Sequence, residues 1–370
     1  MTAQQKIYPR EKVNAPTIKT ALWWLLAILF VGFIAYNIRG GAVSPRIANP
    51  NVSEDVRAAV EGLPNWAAAC NIWSTIMIGA GVIAFAFAWR RYPGHPNLLM
   101  LAVGTGLVWQ DPPMNWVTYV AFNPQMWHYP EDWPWMSFAP VVEPLACFAY
   151  ATVLVGPAFL AMTILRRLQA RQPTQSFVWR RPLVSLALIT FVVGFIVDAM
   201  VEIFCVNLRI YTYTQVTPFG SIFTGQYNQF PLLWESSLVT AVMIPAAILM
   251  HRDDTGRTQA EKLAQRLRLF PRRPALASFL VMFGILNSAY FVIYGGGFLI
   301  IRAGGFATSV ACPWPYPDSK IYDPQGFYEK AGHPGPFFEG RWNTWLSGQP
   351  AGRPLLDTPA SSGRCTPGHQ

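Results

Sequence analysis

Charge is what this sequence has least of. Only 13% of its 370 residues are Asp, Glu, Lys or Arg, against roughly 25% in a soluble globular protein. The few charges cluster, leaving long stretches without any. No lysine falls inside these stretches, which excludes a Schiff base of the retinal-protein kind. The five histidines, His95, His128, His251, His333 and His369, also lie outside them. That disfavours a bis-His haem or a His-box di-iron centre. The five cysteines show no C-x-x-C spacing, so no metal site is expected from them. No P-loop, G-x-S-x-G or H-E-x-x-H motif occurs. What these absences leave is carboxylate chemistry without a cofactor, or binding of an ion or substrate by carboxylates.

Hydrophobic residues make up 52% of the chain. A helix needs roughly 20 mostly apolar residues to cross a bilayer. Seven segments approach or meet that length, at about 21–38, 66–89, 97–121, 140–165, 183–206, 231–250 and 275–301. The expected fold is therefore an all-α integral membrane protein, a bundle of about seven transmembrane helices. The domain expectation is an N-terminal arm (1–20), the bundle (21–302) and a Pro/Gly-rich tail (303–370). The first segment follows a long charged arm and lacks a following A-x-A-like site, so it reads as an uncleaved anchor.

Of the 28 Lys and Arg residues, 18 fall in the N-terminal arm and in 90–96, 166–182 and 251–274. The positive-inside rule then places the N-terminus in the cytoplasm and the tail outside. The net charge of +9 is thus a topology signal, and nucleic acid is not an expected partner because no basic patch is interleaved with base-stacking aromatics. The bilayer, as a multi-pass protein of the cell membrane, is. The stretch 259–270 (QAEKLAQRLRLF) reads as a short basic amphipathic surface helix or as a solvated loop. Cys205, Cys312 and Cys365 fall on the outer side, where a disulfide can form, its pairing left open.

Ionisable groups at membrane depth are costly, and so are candidates for function. They are Asp111 beside Pro112-Pro113, Glu143 before Pro144, Asp198 and Glu202 four residues apart on one helix face, and Glu235 just after Pro231-Leu232-Leu233-Trp234. Given the span directions, all five fall in the outer half of the membrane. The double proline should break or kink its helix beside Asp111. The bland alternatives are a helix cap for Asp111, headgroup contact for Glu143 and Glu235, and a satisfied structural hydrogen bond for Asp198 and Glu202. Two outer loops flank this layer. One, 122–139, is rich in Trp and Pro; the other, 207–230, carries Tyr211, Tyr213, Phe219, Phe223, Tyr227 and Phe230. Such faces suit a large apolar ligand or an interfacial aromatic belt. Candidate substrate contacts are Asn115, Tyr227, Trp109, Trp127 and His128, the last with a plain surface histidine as its alternative. Gly295-Gly296-Gly297 reads as a close helix contact rather than a phosphate loop.

Several of these motifs also occur together elsewhere. Gln110-Asp111-Pro112 with Asn115, the Trp-rich loop, Glu143-Pro144-Leu145, Gln226-Tyr227 and Phe230-Pro231-Leu232 before Glu235 follow one another over roughly residues 70–300. In this order they resemble the AveC-like spirocyclase family of actinobacterial membrane proteins. The resemblance implies closure of a spiroketal in a polyketide, with dehydration, and no established catalytic residue set comes with it. The chemistry suits carboxyls. A general acid protonates the leaving oxygen, and a second, ionised carboxylate stabilises an oxocarbenium-like cation. The expectation is that Asp111 and Glu202 form the pair, with Glu143, Asp198 and Glu235 in support and with Asn115 and Tyr227 orienting substrate hydroxyls. The rivals are another acid-catalysed membrane enzyme, a transporter or lipid-binding protein using the same acids, and a structural partner in an envelope complex. No internal repeat supports alternating access, and oligomeric state is left open.

Overall fold

The computed structural model describes residues 66–131, 135–145, 150–330 and 335–337, together with positions 25, 28, 29, 31 and 32. The first expected span and the end of the tail lie almost wholly outside the described residues. The chain divides into a unit of Met1–Ala42 and a unit of Val43–Gln370, and all that follows concerns the second.

Among the described residues, eight helices of two turns or more carry its fold: α1 (Trp66–Arg91), α2 (Pro96–Thr105), α3 (Asp111–Thr118), α4 (Tyr150–Arg171), α5 (Pro182–Asn207), α6 (Leu232–Met250), α7 (Gln259–Arg266) and α8 (Pro274–Ala303). Five of them, α1, α4, α5, α6 and α8, are long and apolar enough to cross a membrane by length and composition. They mark a membrane protein, with two fewer such helices than the seven spans expected. One of the missing two is the undescribed first segment. The other, 97–121, is broken: α2 gives way to a 3-10 turn over Gly106–Gln110, and α3 begins at Asp111. The prolines at 112 and 113 occupy the first turn of α3, where their missing N–H groups cost nothing. The segment expected from 140 also differs. Residues 139–145 are irregular and buried, and α4 is described from Tyr150.

The arrangement of α5 follows from its sequence. Leu188, Val192, Ile196, Met200 and Phe204 recur every four residues and are exposed, a stripe suited to lipid. Offset from it by two positions run Thr190, Gly194, Asp198 and Glu202 on the opposite side. This polar stripe faces α6. At Gly194 the two helices come so close that a Cβ there would lie 2.7 Å from Thr240 Cγ2. The three-glycine run behaves as expected at two of its positions. A Cβ on Gly295 would meet Met114 at 3.0 Å and one on Gly297 would meet Leu238 at 2.8 Å, whereas Gly296 faces open space. Within α8, residues Tyr290–Gly295 form a π-helical turn, a feature the sequence does not announce.

One end of the bundle is closed by a cap of loops and short strands. Strand β1 (Val120–Phe122) pairs antiparallel with β2 (Tyr211–Tyr213), and β3 (Gln215–Val216) with β4 (Ser309–Val310). Residues 304–330 have little regular structure, but they pack firmly, burying Trp314, Tyr316, Ile321, Tyr322 and Tyr328. Arg302 joins bundle to cap. Its guanidinium lies between the rings of Trp116 (4.2 Å) and Tyr119 (4.3 Å), donating to the Trp116 carbonyl and the Tyr322 hydroxyl at 2.7 Å each. Cys312 is disulfide-bonded, its partner outside the described residues, and Cys205 is free, which removes Cys205 from the expected pairings.

Candidate functional site

The five acids sort into two groups beneath the cap. The first is a carboxyl–amide–carboxyl relay. Asn115 Nδ2 donates to Glu143 Oε2 at 2.9 Å and to Asp111 Oδ2 at 3.2 Å. Asp111 and Asn115 meet because they stand four apart on α3. Glu143 is held in place by backbone pairing between its irregular segment and the Trp-rich loop. Tyr129 N donates to Glu143 O at 2.9 Å, and Leu145 N to Trp127 O at 2.8 Å. All three side chains are buried. Among the described residues Asp111 Oδ1 has no hydrogen-bond partner, so this is an unfinished network rather than a closed structural one.

The second group joins α5, α6, α8 and the cap. Asp198 and Glu235 are buried, and Glu202 is half-buried. The three carboxyls lie close enough for their charges to act on one another. Two phenols serve them. Tyr213, on β2, donates to Glu202 Oε2 at 2.7 Å. Tyr294, in the π-helical turn, donates to both oxygens of Glu235, at 2.8 and 3.0 Å. Burial holds the Tyr213 phenol well above its ordinary range, and the neighbouring Glu202 and Glu235 charges add to this, so it stays a proton donor. The Ser236 hydroxyl faces Asp198, and Asp198 Oδ2 and Thr240 Oγ1 have no hydrogen-bond partner among the described residues. Other threonines in helices, such as Thr105 and Thr163, satisfy their hydroxyls on the carbonyl four residues back. The α5–α6 seam therefore keeps polar capacity free beside the acids.

The two groups flank the π-helical turn. Met114, between Asp111 and Asn115 in sequence, packs against Gly295, while the preceding Tyr294 reaches Glu235. Asp111 is thus grouped with Glu143 through Asn115, and Glu202 with Asp198 and Glu235; no hydrogen bond links Asp111 to Glu202 among the described residues. The remaining sequence candidates belong to neither group. Trp109 is exposed, stacks on Trp135 and bonds Asn287. Trp127 takes a backbone bond to Asn71. His128 pairs with Glu131 at 3.0 Å. Tyr227 lies under Arg209. Sequence reasoning missed Tyr294 and Ser236 entirely, and named Tyr213 only as part of an aromatic loop. Nothing in the local pattern marks Tyr294, because its direction depends on the π-helical turn.

Among known proteins, the family model described as "Spirocyclase AveC-like" matches residues 89–322, more than half of the chain and both carboxyl groups. Comparison with curated proteins gives no match, and neither does comparison with solved structures. The chain belongs to the AveC-like spirocyclase family.

Proposed function

We propose that this member of the AveC-like spirocyclase family is a cofactor-independent acid catalyst that closes a ring, with loss of water, on a large, mostly apolar hydroxy-ketone of polyketide or lipid type. The observation that carries the reading is the convergence of Asp198, Glu202 and Glu235, all on helices long and apolar enough to span a membrane, with two phenol donors, Tyr213 from β2 and Tyr294 from α8. Buried carboxyls that act on one another disfavour full ionisation of the group, and one kept protonated beside an ionised one would supply a proton donor and an anionic partner in one site. The half-buried Glu202 is the member with access to a ligand, and it is assigned the acid role. Asp198 and Glu235 are the anionic support, and Tyr213 and Tyr294 hold the carboxyls in place.

Each step balances. The ketone and one substrate hydroxyl form a hemiketal. The acid protonates the hemiketal hydroxyl, the C–O bond breaks and water leaves. A carboxylate faces the oxocarbenium ion that remains. The second substrate hydroxyl adds to that carbon and returns its proton to the carboxylate left by the acid, so one water is released and the catalyst is restored. Asp111, Asn115 and Glu143, on the other side of the π-helical turn, are assigned to orienting substrate hydroxyls. With the N-terminus in the cytoplasm, the site opens toward the outer face of the plasma membrane.

A second reading, transport or lipid binding by the same acids, is favoured by the broken α2–α3 helix, since discontinuous helices also build transporter sites. Extracts of cells lacking the gene, complemented with wild type or with Glu202→Gln, separate the two. Under the proposal a precursor one water heavier than the product accumulates, cleared by wild type and not by Glu202→Gln. Unchanged extracts with a solute or lipid redistributed between compartments would remove the catalytic reading.

A further inference from the structure

Arg209 stands just beyond α5, at the edge of the cap, in a conformation few side chains adopt. Its φ is +55°, in the left-handed region. Neighbours hold it there: Arg209 N donates to Val206 O at 3.1 Å, and Asn123 Nδ2 donates to Arg209 O at 3.3 Å. The guanidinium carbon lies 4.7 Å from the centroid of the Tyr227 ring. Stacking of this kind fixes the plane of the guanidinium and leaves its edge free to donate.

That edge has no acceptor among the described residues. Nη1 is buried and unpartnered, and no carboxylate among the described residues forms an ion pair with Arg209. A second unsatisfied donor is nearby. Tyr316 is 2% exposed, its hydroxyl bonds to nothing among the described residues, and it lies within reach of the Arg209 charge. Tyr316 is itself fixed, since Trp314 Nε1 donates to its carbonyl at 2.7 Å. A fixed guanidinium edge and a fixed phenol, both lacking an acceptor, call for oxygens that carry negative charge.

We propose that Arg209, Tyr316 and Tyr227 bind the anionic head of an amphiphile, a carboxylate or a phosphate. Its place at the end of a membrane-spanning helix suits a molecule whose tail stays in the bilayer. Two sources offer this chemistry: a phospholipid headgroup, or the acid end of the molecule on which the carboxyl site works. The inference does not depend on the cyclase reading, because binding is measured without turnover.

The test is thermal unfolding of the purified full chain in a nonionic detergent, with dodecyl phosphate, dodecanoate or neutral dodecanol added. At least one anionic probe should raise the melting temperature of wild type while dodecanol does not. Arg209→Gln should lose that rise, and Tyr316→Phe should weaken binding several-fold. A rise with dodecyl phosphate alone assigns the lipid headgroup. A rise with dodecanoate assigns a carboxylate-bearing molecule. The proposal is overturned if neither anion acts, if dodecanol acts as strongly, or if Arg209→Gln keeps the full rise. Should Arg209→Gln not fold, Tyr316→Phe carries the same comparison.

Discussion

Replacing Gly194 by alanine tests the helix contact that sets the second carboxyl group. A Cβ at this position would lie 2.7 Å from Thr240 Cγ2, 2.9 Å from Met243 Sδ and 3.1 Å from Thr240 Oγ1. The Met243 thioether can swing aside. The γ-methyl of Thr240 cannot, because a β-branched side chain in a helix has few rotamers. Either α5 and α6 part by some tenths of an ångström or Thr240 strains. Overpacking of this kind costs about 1–3 kcal/mol, while exchanging Gly for Ala inside a helix returns about 1 kcal/mol. The expected net loss is roughly 0–2 kcal/mol. Gly296 is the control, since an alanine there meets nothing within 4 Å and keeps the propensity gain. Gly194→Ala should therefore fall below Gly296→Ala by about 1–3 kcal/mol, a few degrees in melting temperature. Thr240→Ala removes two of the three close atoms and leaves only the thioether that can swing aside, so the Gly194→Ala/Thr240→Ala pair should show a favourable coupling energy. Thermal unfolding of wild type, the three single variants and the double variant in one detergent reads these differences. Equal stability of Gly194→Ala and Gly296→Ala, or no rescue by Thr240→Ala, would refute the packing argument.

Other consequences can be measured in the same way. Tyr294→Phe removes both hydrogen bonds onto the buried Glu235 carboxyl and should destabilise by about 1–3 kcal/mol, whereas Glu235→Gln, which still accepts from Tyr294, should cost less; chemical denaturation compares them. Arg302→Lys loses the fork that bonds Trp116 and Tyr322 and the stacking on two rings, so limited proteolysis should cut residues 304–330 faster than in wild type. His95 caps α2 by accepting from Asn97 N at 3.2 Å through Nδ1, which must be unprotonated. Burial, and then the charge of Arg252, hold its pKa below the ordinary value. Its contribution is therefore complete above the unfolded pKa of about 6.5 and is lost as pH falls below it. His95→Asn, a cap that does not titrate, should flatten the stability profile between about pH 7 and pH 5, and an unchanged slope would exclude His95 as its source.

Local signals carried much of the fold. The apolar runs that became α1, α5, α6 and α8 are long and nearly free of charge, so their burial in lipid can be read directly. Pro112-Pro113 correctly pointed to a break beside Asp111, although the 3-10 turn starts earlier, at Gly106. Of the stretch 259–270, Gln259–Arg266 is helical, whereas 267–270 leaves the helix, with Arg268 and Phe270 at positive φ. Thr258 and Glu261 form a reciprocal capping box at the start of α7. Membrane depth singled out all five acids, but depth is one coordinate and says nothing of the angle around each helix. Hence the sequence suggested Asp111 with Glu202, while the fold bonds Asp111 to Asn115 and gathers Glu202 with Asp198 and Glu235. The i, i+4 relations, Asp111–Asn115 and Asp198–Glu202, were legible because they are local. Glu143 with Asn115 and Tyr294 with Glu235 depend on loop pairing and on a π-helical turn, which no short-range pattern encodes. The packing of 304–330 was hidden for a similar reason, since its Pro- and Gly-rich composition conceals the apolar residues that lock it onto the bundle.

The most direct test of the account is conversion by the purified protein. The compound that accumulates in cells lacking the gene is supplied to lipid vesicles holding wild type, Glu202→Gln or no protein, and both sides of the bilayer are analysed by mass spectrometry. The account predicts that wild type yields a product lighter by one water and that Glu202→Gln and empty vesicles do not. Recovery of the compound unchanged, but moved across the bilayer only where wild type is present, would contradict it.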